Sequence, residues 1–236
     1  MKSEGLINYT VVEYESDLHI SSSCRLEDEA RKYLIKYRQD IISYALSVSS
    51  ASNDISFYKS LIPMQVLESA PDIIKHMAQA AASVSVGPMA CVAGAISQYV
   101  GYELLKYTDE IIIENGGDIF IKCNTDKKVL IFAGQSPFSN KVALSISAKN
   151  MPMGICTSAG TVGHSLSFGI ADAVVVLSKD TLLADAAATA IGNIIISPGS
   201  VHIGIEYAKT ISGILGVLII IGDKMGVWGD ITLVEP

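Results

Sequence analysis

The chain has 236 residues, of which 50% are hydrophobic and 17% are charged, and its formal net charge is −7 at pH 7. This length can bury a sizeable core without disulfides, and an acidic chain with no stripe of lysine or arginine argues against nucleic acid as the main partner. The apolar content predicts one domain over residues 1–236 with a subunit interface as well as a core, and therefore a homo-oligomer.

The sequence predicts neither membrane insertion nor secretion. The apolar run over 213–221 is too short to span a bilayer, and the run over 78–96 is interrupted by serines and by Gly87-Pro88. The first residues lack the apolar core of a signal peptide, which predicts a cytoplasmic protein. The cysteines form no C-x-x-C pair, so reduced thiols are expected. They are Cys24, Cys91, Cys123 and Cys156.

The first hundred residues predict a hairpin followed by helices. Apolar and polar side chains alternate over the first 20 residues, which predicts a short antiparallel hairpin. Apolar residues then recur at helical spacing over 26–45, and Ser21-Ser22-Ser23 offers N-cap candidates for this helix. After a predicted loop over 50–54, a second helix is expected from about Asp72 and a third over 89–107.

From residue 110 onward the pattern predicts mostly strands. Strands are expected over 110–114, 118–123, 129–133, 142–148 and 173–177, with turns at Asn115-Gly116-Gly117 and Asn124-Thr125-Asp126. An alanine-rich helix over 182–191 should end at Gly192-Asn193, before closing strands over 201–205, 217–221 and 227–234. This order predicts an α+β fold, with helices packed on a largely antiparallel sheet.

Asp185 and Thr189 lie four residues apart in the alanine-rich helix, so their oxygens share one face. Carboxylate, hydroxyl and backbone carbonyl oxygens suit Mg²⁺, which keeps several waters and takes further ligands from a phosphate. The alternative interpretation is that Asp185 complements the positive end of the helix dipole and Thr189 points outward.

The segment 154–165 is dense in glycines and hydroxyls, and we interpret it as a loop whose amides turn toward phosphate oxygens. Its candidate ligand-binding residues are Thr157, Ser158, Gly160 and Thr161. His164 could donate to a phosphate or act as an acid or base near neutral pH, and an inert loop histidine is the alternative. Cys156 could be a nucleophile with a lowered pKa, or only a small strand residue.

The motif Asn115-Gly116-Gly117-Asp118 lies between two apolar strands. A hairpin turn explains it, because Asn-Gly supplies positive φ angles. Asp118 could also contact ribose hydroxyls or help to position a metal, and an aspartate that caps the sheet edge is an equal alternative.

Three pieces in this order resemble the ApbE superfamily, the FAD-dependent flavin transferases: the run 94–118, the segment 156–160, and Ala184-Asp185-Ala186-Ala187-Ala188-Thr189 with Gly192. The resemblance covers roughly 90–193 and is closest to a short, uncharacterised archaeal and bacterial branch. It implies an ApbE-like fold, a flavin nucleotide such as FAD, and Mg²⁺ held by Asp185 and Thr189. It also implies that Gly116, Gly117 and Asp118 lie near the nucleotide, with Thr157 and Ser158 on a ligand-facing strand.

Two departures from the flavin transferase pattern bear on function. Flavin transferases carry a lysine in a KGYAVD-like segment where this chain has Ser97-Gln98-Tyr99, and their HIxDPxTG segment has no counterpart after His164. The resemblance, taken with these departures, implies magnesium-dependent binding of a flavin or related nucleotide, with transfer left open. The alternatives are a sulfur-handling protein that uses Cys156 and a non-catalytic oligomeric module.

Overall fold

The computed structural model describes residues 5–49, 57–161 and 167–236. The helices are α1 (Glu27–Ser49), α2 (Asp72–Ser83), α3 (Val92–Leu104), α4 (Thr181–Ile194) and α5 (Val201–Thr210). The strands of the first half are β1 (Ile7–Glu13), β2 (Ser16–Ser22), β3 (Ile111–Asn115), β4 (Asp118–Lys122), β5 (Lys127–Leu130) and β6 (Ala143–Ile146). Those of the second half are β7 (Met153–Ser158), β8 (Ala173–Ser178), β9 (Ile214–Ile221), β10 (Lys224–Gly229) and β11 (Leu233–Val234).

Two antiparallel sheets form from these strands. The larger has the order β1-β2-β3-β4-β7-β8-β9-β10, and the smaller has the order β11-β6-β5. Because the helices and the small sheet pack on opposite faces of the large sheet, its central strands are buried on both sides. Ile111 and Ile113 face the helices, whereas Ile112 faces the small sheet. This confirms the predicted α+β class.

Most of the predicted elements are confirmed. The N-terminal hairpin, the first three helices, the strand over 173–177, the alanine-rich helix and the strand over 217–221 are all present. The Gly116-Gly117 turn joins β3 to β4 with φ angles of +63° and +104°, as a tight hairpin requires. The predicted loop over 50–54 lies outside the described residues.

The closing strand predicted over 201–205 is wrong, because these residues begin α5. Val and Ile favour a strand locally, but Gly204 lets the helix lie against the sheet. A Cβ at Gly204 would lie 2.7 Å from both Ile195 Cδ1 and Ile219 Cδ1. Tertiary packing therefore decides the conformation of this segment.

Several predicted boundaries and pairings also need correction. Ser21 and Ser22 belong to β2, so they cannot cap α1, which begins at Glu27. Helix α4 continues through Gly192-Asn193 to Ile194. The segment Asn124-Thr125-Asp126 leads from the large sheet into the small one, so β4 pairs with β7 rather than with β5. The run 227–234 is divided between β10 and β11.

Within the described ranges, no individual helix has both the length and the apolar character to cross a bilayer. Helix α2 and the segment 88–104 are long and apolar enough only when they are taken together, and the chain bends by 103° between them.

Candidate functional site

The candidate site lies on the helix side of the large sheet, where β4, β7, α3 and α4 meet. Phe120 and Cys156 belong to the core between sheet and helices. Asp118 is two residues before Phe120 on β4, so its side chain leaves the sheet on the same face. Asp185 reaches this region from α4 and contacts the first turn of α3. The fold therefore brings Asp118, Cys156 and Asp185 into one region.

Asp185 binds the start of α3. The Gly94 N–H donates to Asp185 Oδ2 over 2.9 Å, and the Asp185 side chain is only 8% exposed. The first N–H groups of a helix have no intrahelical partner and carry partial positive charge, so a carboxylate is stabilised there. Asp185 thus complements the dipole of a neighbouring helix. The N-cap of α4 itself is Asp180, which accepts from Leu182 N–H over 3.0 Å.

The turn motif supplies the second buried carboxylate of the site. The Asp118 side chain is 7% exposed, and Asp118 Oδ1 accepts from Thr157 N–H over 3.3 Å. Asn115 is buried beside it and donates from Nδ2 to the Ala93 carbonyl over 3.3 Å, which ties the hairpin to the start of α3. Gly116 and Gly117 leave the outer side of the turn open.

Burial makes both carboxylates costly to ionise, and the charge of Asp118 adds to that cost for Asp185. Burial raises the pKa of Asp118 to about 7. Burial, followed by the nearby charge of Asp118, raises the pKa of Asp185 well above its usual range, against the lowering effect of the Gly94 hydrogen bond. Neither carboxylate forms an ion pair with a Lys, Arg or His within the described part of the chain. A cation in this region would offset both charges.

Helix α4 presents three oxygen-bearing side chains at spacings of four residues, Thr181, Asp185 and Thr189. Thr189 is half-buried, as a ligand at the rim of a site would be. Thr181 is fully buried, and its hydroxyl is the one buried side-chain oxygen or nitrogen in the described ranges without a hydrogen-bond partner. Sequence reasoning missed Thr181, although its spacing from Asp185 was a usable signal.

The predicted phosphate loop is wrong over 154–158, because these residues form β7 between β4 and β8. The amide of Thr157 donates to Asp118, while the Ser158 hydroxyl lies near Gly192 of α4. Two other predicted ligand-binding residues, Gly160 and Thr161, form hydrogen bonds with the segment 169–172. Gly160 N–H donates to the Ala171 carbonyl over 2.8 Å, and the Thr161 hydroxyl donates to Asp172 Oδ1 over 2.9 Å. His164 lies outside the described residues.

Cys156 is completely buried, and its thiol donates to the Thr181 carbonyl over 3.4 Å. Burial raises the pKa of this thiol well above its usual value, and the charges of Asp118 and Asp185 raise it further. A nucleophilic cysteine needs a stabilised thiolate and access to its substrate. The structure therefore gives the opposite of the lowered pKa that a sulfur-handling role for Cys156 requires.

The Gln98 side chain contacts the start of α4. It is not left free to face a ligand, as a lysine at this position would be. Its Oε1 accepts from Thr181 N–H over 2.7 Å, and its Nε2 donates to Asp180 Oδ1 over 3.5 Å. Asp180 also receives a hydrogen bond from His76 Nε2 over 2.9 Å. Sequence reasoning found Gln98 only as a departure from a motif, because this contact joins residues 83 positions apart.

The donor set around Asp185 fits a hard cation with few protein ligands. No group of three or more His, Cys, Asp or Glu residues arranged to bind a metal occurs in the described ranges. A cation here would therefore depend on carboxylate and hydroxyl oxygens, with water or a phosphate completing its shell. Mg²⁺ accepts such a site, whereas a structural zinc site needs about four nitrogen or sulfur ligands. Asp185 Oδ1 has no hydrogen-bond partner among the described residues, so it is available as a ligand.

Comparison with known proteins places these features in a family. A family model described as AbpE bacteria matches residues 1–213. The chain belongs to this family. Similar relatives of this ApbE-like chain include a UPF0280 protein of Methanococcus maripaludis, which is 42% identical over 207 residues, with 86% of this chain and 81% of that relative covered. A UPF0280 protein of Methanosarcina acetivorans is 39% identical over 206 residues, covering 86% and 79%.

The ApbE-like fold is also found in a solved structure. A variant of Flavin Transferase ApbE from Vibrio cholerae superposes with a TM-score of 0.60, covering 95% of this chain and 97% of the other. The two sequences are only 11% identical, so this likeness shows the shared fold alone. Together with the family match over residues 1–213, it bears out the resemblance of the motifs to the ApbE superfamily.

Proposed function

We propose that this ApbE-like chain binds a flavin or related nucleotide through Mg²⁺, held by Asp185 and Thr189 with Asp118 close by. The observation that carries the proposal is the pair of buried carboxylates, Asp118 and Asp185, without a cationic partner in the described structure. Burying two like charges is unfavourable unless they are protonated or a cation joins them. When bound, Mg²⁺ would neutralise the charge of a diphosphate.

The start of α3 supports a cation rather than direct binding of phosphate. Helix N-termini bind phosphate through free amides, but the Gly94 amide is already occupied by Asp185. A phosphate approaching this end of α3 would meet a carboxylate. A bridging divalent cation removes that repulsion, and it explains why an acidic chain can hold an anionic ligand.

The flavin is proposed by analogy with the solved relative whose name describes a flavin transferase. Nucleotide binding without transfer is the activity we favour. Gln98 occupies the position that the resemblance gives to a lysine, and both ends of its amide are committed to the start of α4. The position therefore offers no positive charge for a pyrophosphate.

Calorimetric titration of the purified protein with FAD tests the proposal, once with MgCl₂ and once with EDTA. We expect binding with Mg²⁺ that weakens about tenfold or more with EDTA or in Asp185→Asn and Thr189→Val. Asp109→Asn is the matched control, since Asp109 is exposed and precedes β3, whose other end carries the turn to Asp118. Equal affinity with and without Mg²⁺ would overturn the metal's role.

The same titration separates binding from the other functions. Release of AMP from FAD, followed by chromatography, would show that a bond is cleaved and would favour a transferase. Absence of FAD binding under both conditions would contradict the proposal and favour the non-catalytic oligomeric module.

A further inference from the structure

The two sheets end in four edge strands, β1 and β10 in the large sheet and β5 and β11 in the small one. An edge strand presents a row of unpaired N–H and C=O groups that can pair with another chain. Proteins commonly protect such edges with charged residues, by shortening the strand or by covering it.

Three of these edges are protected. On β1, Arg31 of α1 donates from Nη1 to the Val12 carbonyl over 3.1 Å and lies 3.6 Å from the Glu13 carboxylate. The edge strand β5 begins with Lys127 and Lys128. The edge strand β11 has only two residues.

The edge at β10 differs from the other three. In the described part of the chain β10 pairs with β9 alone, and its four residues after Lys224 are Met, Gly, Val and Trp. The Val227 side chain is 41% exposed. A cavity of about 490 Å³ lies beside this edge, where side chains of α5 such as Val201 and Ile205 meet Gly226. An open strand next to a partly apolar cavity, which His202 and Glu206 also line, suits addition of a further strand.

We propose that β10 pairs antiparallel with β10 of a second copy of this chain, about a two-fold axis at Val227. This arrangement joins the two large sheets into one continuous sheet across the dimer. A two-fold axis places the same surface of each copy against the other, so a strand that complements itself is required. The sequence of β10 and its flanks meets this requirement in one register.

In that register Lys224 of each copy lies beside Asp230 of the other, which directly follows the last residue of β10, Gly229. Asp230 stays beside the sheet, because its N–H donates to the Leu215 carbonyl over 2.8 Å. A shift by one residue is excluded, because it would place paired side chains on opposite faces of the joined sheet. Shifts by two residues place Lys224 opposite Trp228 or Thr232, and both lose the pair of opposite charges. Lys224 is free to exchange partners, since its contact with Asp223 is 3.5 Å long and both side chains are exposed.

The same register places Trp228 of each copy opposite Gly226 of the other. Both positions lie on the helix side of the sheet, where Trp228 packs at the rim of the core. A large aromatic side chain opposite an edge glycine covers the backbone that the glycine leaves bare. Charge and side-chain volume therefore favour one register of self-pairing.

Charge exchange tests the proposal, with the dimer dissociation constant measured by sedimentation equilibrium. We expect a dimer for the unaltered chain, and about tenfold or more weaker association for Lys224→Asp and for Asp230→Lys, because each brings like charges together. The double variant Lys224→Asp/Asp230→Lys should restore association, since the charges are opposite again. Val12→Lys on the edge strand β1 is the control and should leave the dissociation constant unchanged.

Circular dichroism of each variant shows whether it folds, and both exchanged side chains are exposed in the single chain. A monomeric unaltered chain at high micromolar concentration would overturn the proposal. Single variants that associate normally, or a double variant that fails to recover association, would also overturn it. Weakening by Val12→Lys alone would assign the interface to the opposite edge.

Discussion

The Gly94 amide donates a hydrogen bond to Asp185 Oδ2 over 2.9 Å, which joins the first turn of α3 to the middle of α4. The glycine is required because a Cβ there would lie 2.7 Å from the Thr181 carbonyl oxygen and 2.9 Å from Asp185 Cβ. The carboxylate proposed to bind Mg²⁺ is therefore positioned by a backbone amide and by the close approach of two helices.

Gly94→Ala should destabilise the protein by about 2 kcal/mol, because the added methyl group forces α3 away from α4. The variant should also weaken Mg²⁺ binding, since moving α3 away from α4 lengthens the hydrogen bond from the residue 94 amide to Asp185. Urea unfolding gives the free energy, with Gly199→Ala as control. A Cβ at Gly199 meets only Ser197 Oγ, at 3.6 Å. Equal effects of the two substitutions would contradict the close-approach argument.

The stability of the metal-free protein should depend on the ionisation of Asp118. Burial raises its pKa in the folded state to about 7, against a value of 3.8 for the free side chain. The stabilisation of the folded state by protonated Asp118 is therefore fully present below pH 4. It is lost as the pH rises toward 7, and the free energy of unfolding falls by up to about 1.4 kcal/mol for each pH unit. Urea unfolding without metal should show Asp118→Asn gaining stability relative to the unaltered protein across this range. If the difference in unfolding free energy between the two proteins were constant with pH, the claim that Asp118 becomes a buried charge in this range would be refuted.

The Cys156 thiol should be unreactive in the folded protein, because it is buried and its pKa is raised by burial and by Asp118 and Asp185. Ellman's reagent at pH 8 measures this in a Cys24→Ser background. Cys24 is the exposed cysteine, whereas Cys91 and Cys123 are buried. We expect negligible labelling until the protein is unfolded. Rapid native labelling that disappears in Cys156→Ser would restore the sulfur-handling hypothesis.

Gln98→Leu should destabilise the protein by about 1–3 kcal/mol, because the buried Thr181 N–H loses its acceptor. The control is Gln39→Leu, at an exposed position of α1. Thermal unfolding of both variants checks the difference. If the two melting temperatures were equally lowered, the Gln98 contact would have no special role at the start of α4.

The sequence predicts the elements near the site better than it predicts the site's contacts. The turn at Asn115-Gly116-Gly117-Asp118 is predictable because the preference of Asn-Gly for positive φ angles is a local property. Asp185 is recognisable because it is an acidic residue in an alanine-rich helix. The strand β7 was mistaken for a loop because glycine and hydroxyl residues resemble loop composition. Its central place between β4 and β8 is a long-range property.

The contacts made by Gly94 and Thr181 were not predictable from local pattern. Both depend on how closely α3 and α4 approach each other, which no periodicity encodes. The i, i+4 spacing predicts that Thr181 and Asp185 share one face of α4, but it does not predict how deeply that face is buried. Burial is what turns two ordinary aspartates, Asp118 and Asp185, into a candidate cation site.

Thermal unfolding at pH 8 with increasing MgCl₂ is the most direct test of the proposed cation site. A ligand that binds only the folded state raises the melting temperature in proportion to the logarithm of its concentration once the site is saturated. We expect this rise for the unaltered protein and for Asp109→Asn, and its loss in Asp185→Asn, which keeps an acceptor for Gly94 but not the charge. A melting temperature that does not respond to Mg²⁺, or that rises equally in Asp185→Asn, would contradict the account.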